Sequence, residues 1–469
     1  RVFMIVGGGH MHMDDALLDV PELKAVCFHH EQAAAMAAEG YARIAGKAGI
    51  VSVTSGPGGI NAIAGVFGAW TDSVPMVVLA GQAKRETCMA FHPVPGLRQL
   101  GDQEIDSVAL AAPITKYAAR VDSPERALFE LQKCLHLAES GRPGPTWLEI
   151  PLDIQGALVD PGSMERFVPD TEPQANLSPY CFDTLQAIQK AERPVLLAGS
   201  GVRISGAHDA FLDVAERLGV PVVTAWTPDT FPSDHPLFCG RQGTIGTRGG
   251  NFTVQNADLV LILGSRMCIR QISYDWNKFA PNALRIQVDI DPAEMVKSTG
   301  RGDICIKADV RAFLEEMLTQ IKNAPHVPHQ NHQPWLEWCR ERSRRYPVVL
   351  DSMRHDKDGI NPYWFVEELF KRLDGDDIVA CANSTCCIVP FQAGTIKPGM
   401  RMFSNSGSAS MGHGLPAAIG AAEAGNGKRV ICLEGDGSMM MNCQELTTLA
   451  YRKLPVKVFV FDNNGYMSI

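Results

Sequence analysis

The sequence predicts a three-domain α/β protein in which each domain carries a mostly parallel sheet flanked by helices. Three observations carry that expectation. Short apolar strands alternate with helical stretches along the whole chain, the pattern of parallel sheets. Two segments rich in Pro, Asn and His, 156–178 and 323–345, lack apolar periodicity and read as linkers. The length, 469 residues, also exceeds what one ordinary core fills.

The first domain, 1–155, opens on the strand "VFMIV" and the helix candidate "MDDALLDV". There follow "KAVCF", the Ala-rich helix "EQAAAMAAEGYARIAG", the strand "GIVSVT" and a Gly-rich turn into "INAIAGVFGAW". The strands "PMVVLAG" and "PTWLEIP" complete it. Tyr41 and Trp70 fall on helical patterns and read as core. The second domain, 179–322, has strands "PVLLAG", "PVVTAW", "LVLILGS" and "RIQVDI". The third, 346–469, has "DIVACA", "RMFSN", the helix "LPAAIGAAEAG" and "RVICLEGDG", and reads as C-terminally incomplete because it stops one loop after "VKVFVF".

Composition narrows the function classes. Hydrophobic residues make up 45% and charged residues 20%, enough to bury large cores. A net charge of −9 with no basic run argues against nucleic acid as a partner. The 13 cysteines are scattered without CxxC pairs and read as reduced thiols of a cytoplasmic protein. No apolar run reaches the roughly 18 residues of a membrane span, so no membrane partner is expected. "AGSGVRISG" lacks the full GxGxxG fingerprint, which argues against NAD. His10, His12, His29 and His30 lack zinc-site spacing and read as loop and core residues.

The chemistry concentrates in "EGDGSMMMNCQELTTLAYRKLPVKVFVFDNNGY", Glu434 to Tyr466. A buried strand ends in the turn Gly435-Asp436-Gly437. A helix follows with Ser438 as its N-cap, then a second strand and the loop Asp462-Asn463-Asn464-Gly465. Parallel strands put both loops on one sheet edge, where open α/β sheets bind ligands. Asp436 offers an anionic oxygen, Asn464 an amide oxygen, and the backbone carbonyl at Tyr466 a third, which together suit Mg²⁺ or Ca²⁺. The glycines let backbone approach phosphate oxygens at a helix N-terminus. The implied ligand is a metal-bridged diphosphate.

This stretch, with 25 residues (438–462) between Gly437 and Asn463, resembles the diphosphate- and magnesium-binding motif of the thiamine diphosphate (ThDP) enzymes. The resemblance covers essentially the whole chain and implies a pyrimidine-binding first domain, a central domain and a diphosphate-binding third domain. It implies that Glu31 in "CFHHEQAAAMAAEGYAR" bonds the aminopyrimidine ring. It also implies that Pro57 in "TSGPGGIN" touches the cofactor and that Met411 in "SNSGSASMGHGLP" supports its rings. Asn383 and Ser384 in "CANSTCC" stand where the family covers the diphosphate. His29 and His30 are expected to pack beside the glutamate turn.

Within these enzymes the chain is most similar to the acetolactate synthase-like group, through "DSVPMVVLAGQ", "NFTVQNADLVLILGSR" and "DIDPAE". The resemblance implies ThDP and Mg²⁺ as cofactors, decarboxylation of a 2-oxo acid such as pyruvate, and transfer of the two-carbon unit to a carbonyl acceptor. A homo-oligomer with active sites at the dimer interface is expected. Departures matter too. Asp102-Gln103-Glu104 replaces an aromatic-containing triplet, leaving Gln103 to face substrate. "RMCIR" replaces a segment with paired acids, leaving Arg270 as the possible contact to a flavin (FAD). These changes suggest an acceptor other than a second pyruvate, and "IRQISYDW" resembles a branch associated with sugar and polysaccharide pathways, which implies a keto-sugar acceptor. Only His92 stands where plain decarboxylases carry a His pair, which disfavours a simple decarboxylase. A ThDP-binding but catalytically idle regulatory subunit is the other alternative.

Overall fold

The computed structural model describes residues 1–170, 175–323, 332–356 and 359–466. The chain forms two compact bodies. One comprises Arg1–Thr171, Ile378–Cys386 and Ser404–Ile469; the other comprises Glu172–Asp377 and Cys387–Phe403.

The strands are β1 (Val2–Met4), β2 (Ala25–Cys27), β3 (Gly49–Val53), β4 (Met76–Gln82), β5 (Tyr117–Arg120) and β6 (Pro145–Pro151). They form one sheet in the order β2-β1-β3-β4-β6-β5. Next come β7 (Pro194–Ala198), β8 (Val222–Thr224), β9 (Phe238–Arg241), β10 (Leu259–Leu263), β11 (Leu284–Asp289) and β12 (Ile304–Lys307), ordered β12-β11-β10-β7-β8-β9. The third set is β13 (Ile378–Cys381), β14 (Arg401–Ser404), β15 (Val430–Gly435) and β16 (Val456–Phe461), in which β13 pairs with β15 and β15 with β16. All these ladders are parallel, so the class expected from the sequence holds. Parallel strands are covered on both faces and therefore read as continuous apolar runs. "PVLLA" and "LVLIL" are buried at every position for that reason.

In the first body the Glu31–Ala45 helix and the Gly414–Ala424 helix cross almost backbone to backbone. A Cβ on Gly40 would lie 2.1 Å from the Ala417 carbonyl oxygen, and one on Gly420 would lie 1.8 Å from that of Ala37. The run Ala33–Ala38 is wholly buried between its neighbours. "EQAAAMAAEGYARIA" is thus alanine-rich because its partners leave no volume for more than a methyl group.

Two expectations change. Residues 156–170 carry no helix or strand, but much of 323–345 is the Gln333–Arg345 helix; 324–331 lie outside the described residues. Trp335, Leu336 and Cys339 form its buried stripe, and the Trp335 indole N–H donates to the Pro194 carbonyl at 3.1 Å. The Pro, His and Asn residues just before it masked that short periodicity. Trp70, read as core, is instead 38% exposed on the outer face of the Pro57–Thr71 helix.

Candidate cofactor site

Glu31 is the first residue of its helix. His30 caps that helix, its Nδ1 accepting from the Gln32 N–H at 3.2 Å. His29 donates its backbone N–H to Glu445 at 3.0 Å. The Glu31 carboxyl is 9% exposed and accepts from Asn61 Nδ2 at 3.0 Å. Asn61 stands one turn into the helix that Pro57 begins. Gly58 of the same turn needs to be glycine, because a Cβ there would come within 2.8 Å of Thr54 Cγ2 and 3.4 Å of Glu31 Oε1.

Gln103 joins this cluster through backbone. Gly56 takes φ +58, and a Cβ on it would lie 2.2 Å from the Gln103 carbonyl oxygen. The Gln103 side chain is exposed, and its own φ is +56. Beneath it, Gln82 Nε2 donates to the Ile105 carbonyl at 2.7 Å and to buried Glu149 at 3.0 Å. Glu104 accepts from the Met89 and Leu100 N–H groups, both at 2.8 Å. Those backbone donors hold its carboxyl below the ordinary carboxylate range despite desolvation. Glu31, Pro57 and Gln103 are therefore neighbours, and Asn61, which sequence reading missed, is the residue that fixes Glu31.

The second cluster sits where β15 and β16 end. Their register pairs Gly435 with Phe461, so both following loops leave one sheet edge. Asp436 Oδ1 accepts from the Gly437 N–H at 2.8 Å and Oδ2 from the Gly465 N–H at 3.2 Å. These backbone donors keep its carboxyl ionised below the usual range. A Cβ on Gly437 would meet the Tyr466 ring at 3.0 Å, so that glycine admits the tyrosine beside the turn. Asn464 adopts φ +60, its N–H donating to Asp462 at 3.0 Å.

Ser438 departs from expectation. Gly435 is the N-cap, and Ser438 lies inside the short Asp436–Met439 helix, separate from the Glu445–Arg452 helix. Its hydroxyl accepts from the Gly412 N–H at 2.7 Å and bonds the buried Glu434 carboxyl. Asn442 Nδ2 donates to the Gly412 carbonyl at 2.7 Å. Met411, half-buried, is thus tied beside the Gly-Asp-Gly turn. Asn383 Nδ2 donates to the Ala409 carbonyl at 3.3 Å in the same loop, whereas Ser384 is exposed with φ +53.

Among the described residues no hydrogen bond or ion pair links Glu31 to Asp436, Ser438 or Asn464. The oxygens around Asp436 nevertheless suit a hard cation and a diphosphate: a charged carboxylate, amide oxygens and glycine backbone. The buried Asn463 Oδ1 has no protein partner there. The residues present fit Mg²⁺ and ThDP.

Arg270 belongs to the second body. Its guanidinium lies over Trp226, 5.4 Å from the ring centroid, and Trp226 in turn faces Phe391 at 5.6 Å. The adjoining cleft is lined by Trp226, Arg241, Gln242 and Phe391 among others. Arg241, 3% exposed, donates to the Gly394 carbonyl and to Ser233 Oγ, both at 3.0 Å. Trp226 Nε1, Arg241 Nε and both amide atoms of Gln242 are buried there with no protein partner among the described residues, donors and acceptors that a bound ligand would satisfy.

Comparison with known proteins agrees with the geometry. Residues 1–110 match the thiamine pyrophosphate enzyme N-terminal TPP binding domain, 183–317 the central domain, and 385–469 the C-terminal TPP binding domain. The chain is 34% identical to a probable acetolactate synthase large subunit of Methanocaldococcus jannaschii, over 98% of this chain and 77% of that protein. It is 33% identical to the acetolactate synthase isozyme 3 large subunit of Escherichia coli, over 100% and 80%. Against the acetolactate synthase large subunit of Corynebacterium glutamicum the identity is 34%, over 99% and 72%. Three parallel sheets, two of them bearing the glutamate and Gly-Asp-Gly clusters, and relatives of one kind over nearly the full chain place this protein among the ThDP-dependent enzymes, in their acetolactate synthase-like group.

Proposed function

We propose that this enzyme is a Mg²⁺- and ThDP-dependent carboligase, which decarboxylates a 2-oxo acid, pyruvate first among them, and joins the two-carbon unit to a carbonyl acceptor. The observation that carries the reading is the pairing of a buried Glu31 held by Asn61 with an Asp436 turn lying beside the Asn464 loop. When bound, ThDP supplies the electron sink for the carbanion left by decarboxylation.

The chain's own residues do the rest. Glu31 holds a proton at the aminopyrimidine ring nitrogen, and Asn61 keeps the carboxyl aimed. Asp436, the Asn464 amide oxygen and the Tyr466 carbonyl hold Mg²⁺. Gly435, Gly437 and Ser438 receive the diphosphate, with Asn383 and Ser384 covering it. Met411 supports the rings, Pro57 borders the pyrimidine, and Gln103 faces substrate. With Asp102 and Gln103 both exposed and polar, a hydroxylated acceptor such as a keto-sugar suits the entrance better than an apolar one.

The active unit is a homodimer or larger homo-oligomer. Ile60, Phe67 and Trp70 lie on one outer face of the Pro57–Thr71 helix and are 47%, 41% and 38% exposed. An apolar stripe running from the glutamate cluster fits a subunit interface at the active site. The reading places no reaction step on a flavin.

The test is carbon dioxide release from pyruvate with ThDP and Mg²⁺, with and without sugar and small-molecule carbonyl acceptors. Acceptor-stimulated release supports the carboligase. Release indifferent to every acceptor makes the protein a simple decarboxylase. Tight ThDP binding with no release from any 2-oxo acid makes it an idle regulatory subunit.

A further inference from the structure

Met411 sits in a loop, Asn405 to His413, whose two ends converge on one atom. Asn405 Nδ2 donates to Glu39 Oε2 at 3.0 Å, and His413 Nε2 lies 3.3 Å from the same oxygen. Glu39 is fully buried and His413 is 1% exposed. The other carboxylate oxygen, Oε1, accepts from Arg43 Nε at 3.0 Å and from Arg43 Nη2 at 2.6 Å. Arg43 also reaches Asp72 at 2.7 Å, and Asp72 accepts from the Ser406 and Gly407 N–H groups at 2.9 and 2.8 Å.

The loop would otherwise be slack. Its interior holds Ser406, Gly407, Ser408, Ser410 and Gly412, small residues with little apolar area to bury. Ala409 and Gly412 have positive φ. Such a segment keeps one shape only when polar anchors fix it. The diphosphate side supplies two anchors at Gly412, from Ser438 and Asn442. Asn383 holds the Ala409 carbonyl, and the grips at the two ends come from Glu39 and Asp72.

We propose that Glu39 is a positioning residue for the cofactor, one buried carboxylate oxygen pinning both ends of the loop that presents Met411. The proposal rests on Met411 supporting ThDP. Glu39 lies eight residues beyond Glu31 on one helix, about 12 Å along its axis, so it acts through the loop and not at the reacting atoms. The chemistry demands a carboxylate: donors meet both oxygens, and an amide turns its own N–H₂ against either Arg43 or the loop.

The test compares Glu39→Gln, Asn405→Ala and Met411→Ala in the full-length chain. Three quantities are measured: the ThDP dissociation constant with Mg²⁺, the near-ultraviolet circular dichroism of bound ThDP, and hydrogen exchange of the 405–413 amides without cofactor. The expected result is at least tenfold faster exchange in Glu39→Gln and Asn405→Ala. Their bound-cofactor spectrum should be displaced in the same sense as in Met411→Ala. Asn405→Ala leaves the Glu39–Arg43–Asp72 ion cluster intact, so it decides the matter if Glu39→Gln fails to fold. Parent-like exchange and spectra in Asn405→Ala, beside an altered Met411→Ala, overturn the proposal alone. A parent-like Met411→Ala overturns the cofactor contact itself, and the proposal with it.

Discussion

Replacing Gly420 by alanine is expected to destabilise the first body although it should improve helix propensity. Alanine in a helix interior is favoured over glycine by about 1 kcal/mol. The added methyl, however, would lie 1.8 Å from the Ala37 carbonyl oxygen and 2.6 Å from its carbon. Non-bonded heavy atoms rest at roughly 3.5 Å, so the helices must part by well over 1 Å. The obstacle is main chain, which has no rotamer to change. A gap of 0.5–1 Å already forfeits roughly a quarter to a half of each contact's attraction, and it would open along the buried Ala33–Ala38 run. A cost near the top of the usual overpacking range, about 3 kcal/mol, leaves a net loss of about 2 kcal/mol after the propensity gain. The assay is urea and thermal denaturation followed by circular dichroism, with Gly59→Ala as comparison. There the new methyl meets the Trp147 ring at 3.4 Å and Ser107 Cβ at 3.9 Å, ordinary contacts, so the propensity gain of up to about 1 kcal/mol goes unopposed and the protein should be no less stable than its parent. A Gly420→Ala protein as stable as its parent would refute the reading of this crossing as backbone contact.

Four further outcomes are expected. Glu31→Gln should retain ThDP but lose at least about a hundredfold in turnover, the scale of general acid–base assistance; undiminished turnover would remove Glu31 from the mechanism. Asp436→Ala should abolish Mg²⁺-dependent ThDP retention, measured by cofactor content after gel filtration, and normal retention would disprove the metal assignment. Glu39 is desolvated, but His413 and Arg43 overcome that and hold its carboxyl at about 2, below the ordinary 4.5. A depressed carboxylate contributes its full stabilisation above pH 4.5 and loses it as pH falls towards 2, roughly 3 kcal/mol in all. Glu39→Gln should therefore be less stable at neutral pH and decline less steeply in acid, and parallel pH–stability curves would contradict this. Trp226 is only half-buried, so Trp226→Ala should enlarge the cleft beside Arg270 and cost less than the roughly 3–5 kcal/mol of a fully buried tryptophan, read as a modestly lowered denaturation midpoint.

The parts legible in the sequence were those set by local spacing. The Asp436 turn and the Asn464 loop flank one helix-and-strand unit, so their shared sheet edge followed from parallel geometry. Glu31 at a helix head followed from the strand before it and the alanine run after it. Ser438 was misjudged because the stretch Met439–Asn442 looks helical in isolation. In the fold, Asn442 turns its amide onto Gly412, a residue 30 positions away, and the helix is interrupted. Asn61, Asn405 and His413 gave no sequence signal at all. Asn405 meets Glu39 across 366 positions, and no periodicity encodes such a contact. Arg270 was read against a cofactor; its position over Trp226 depends on the aromatic lining of a cleft built from several distant segments.

The close crossing of the Glu31–Ala45 and Gly414–Ala424 helices also has a consequence in time. A ribosome adding roughly 5–20 residues per second makes the first helix about 370 residues (45 to 414) before the second. For roughly 20–70 s the nascent chain therefore carries an alanine face whose cover has not been synthesised. That face is flat and weakly apolar, a poor seat for wrong partners compared with a leucine-rich one. An alanine-lined contact thus suits a helix that must wait for most of the chain before it is enclosed.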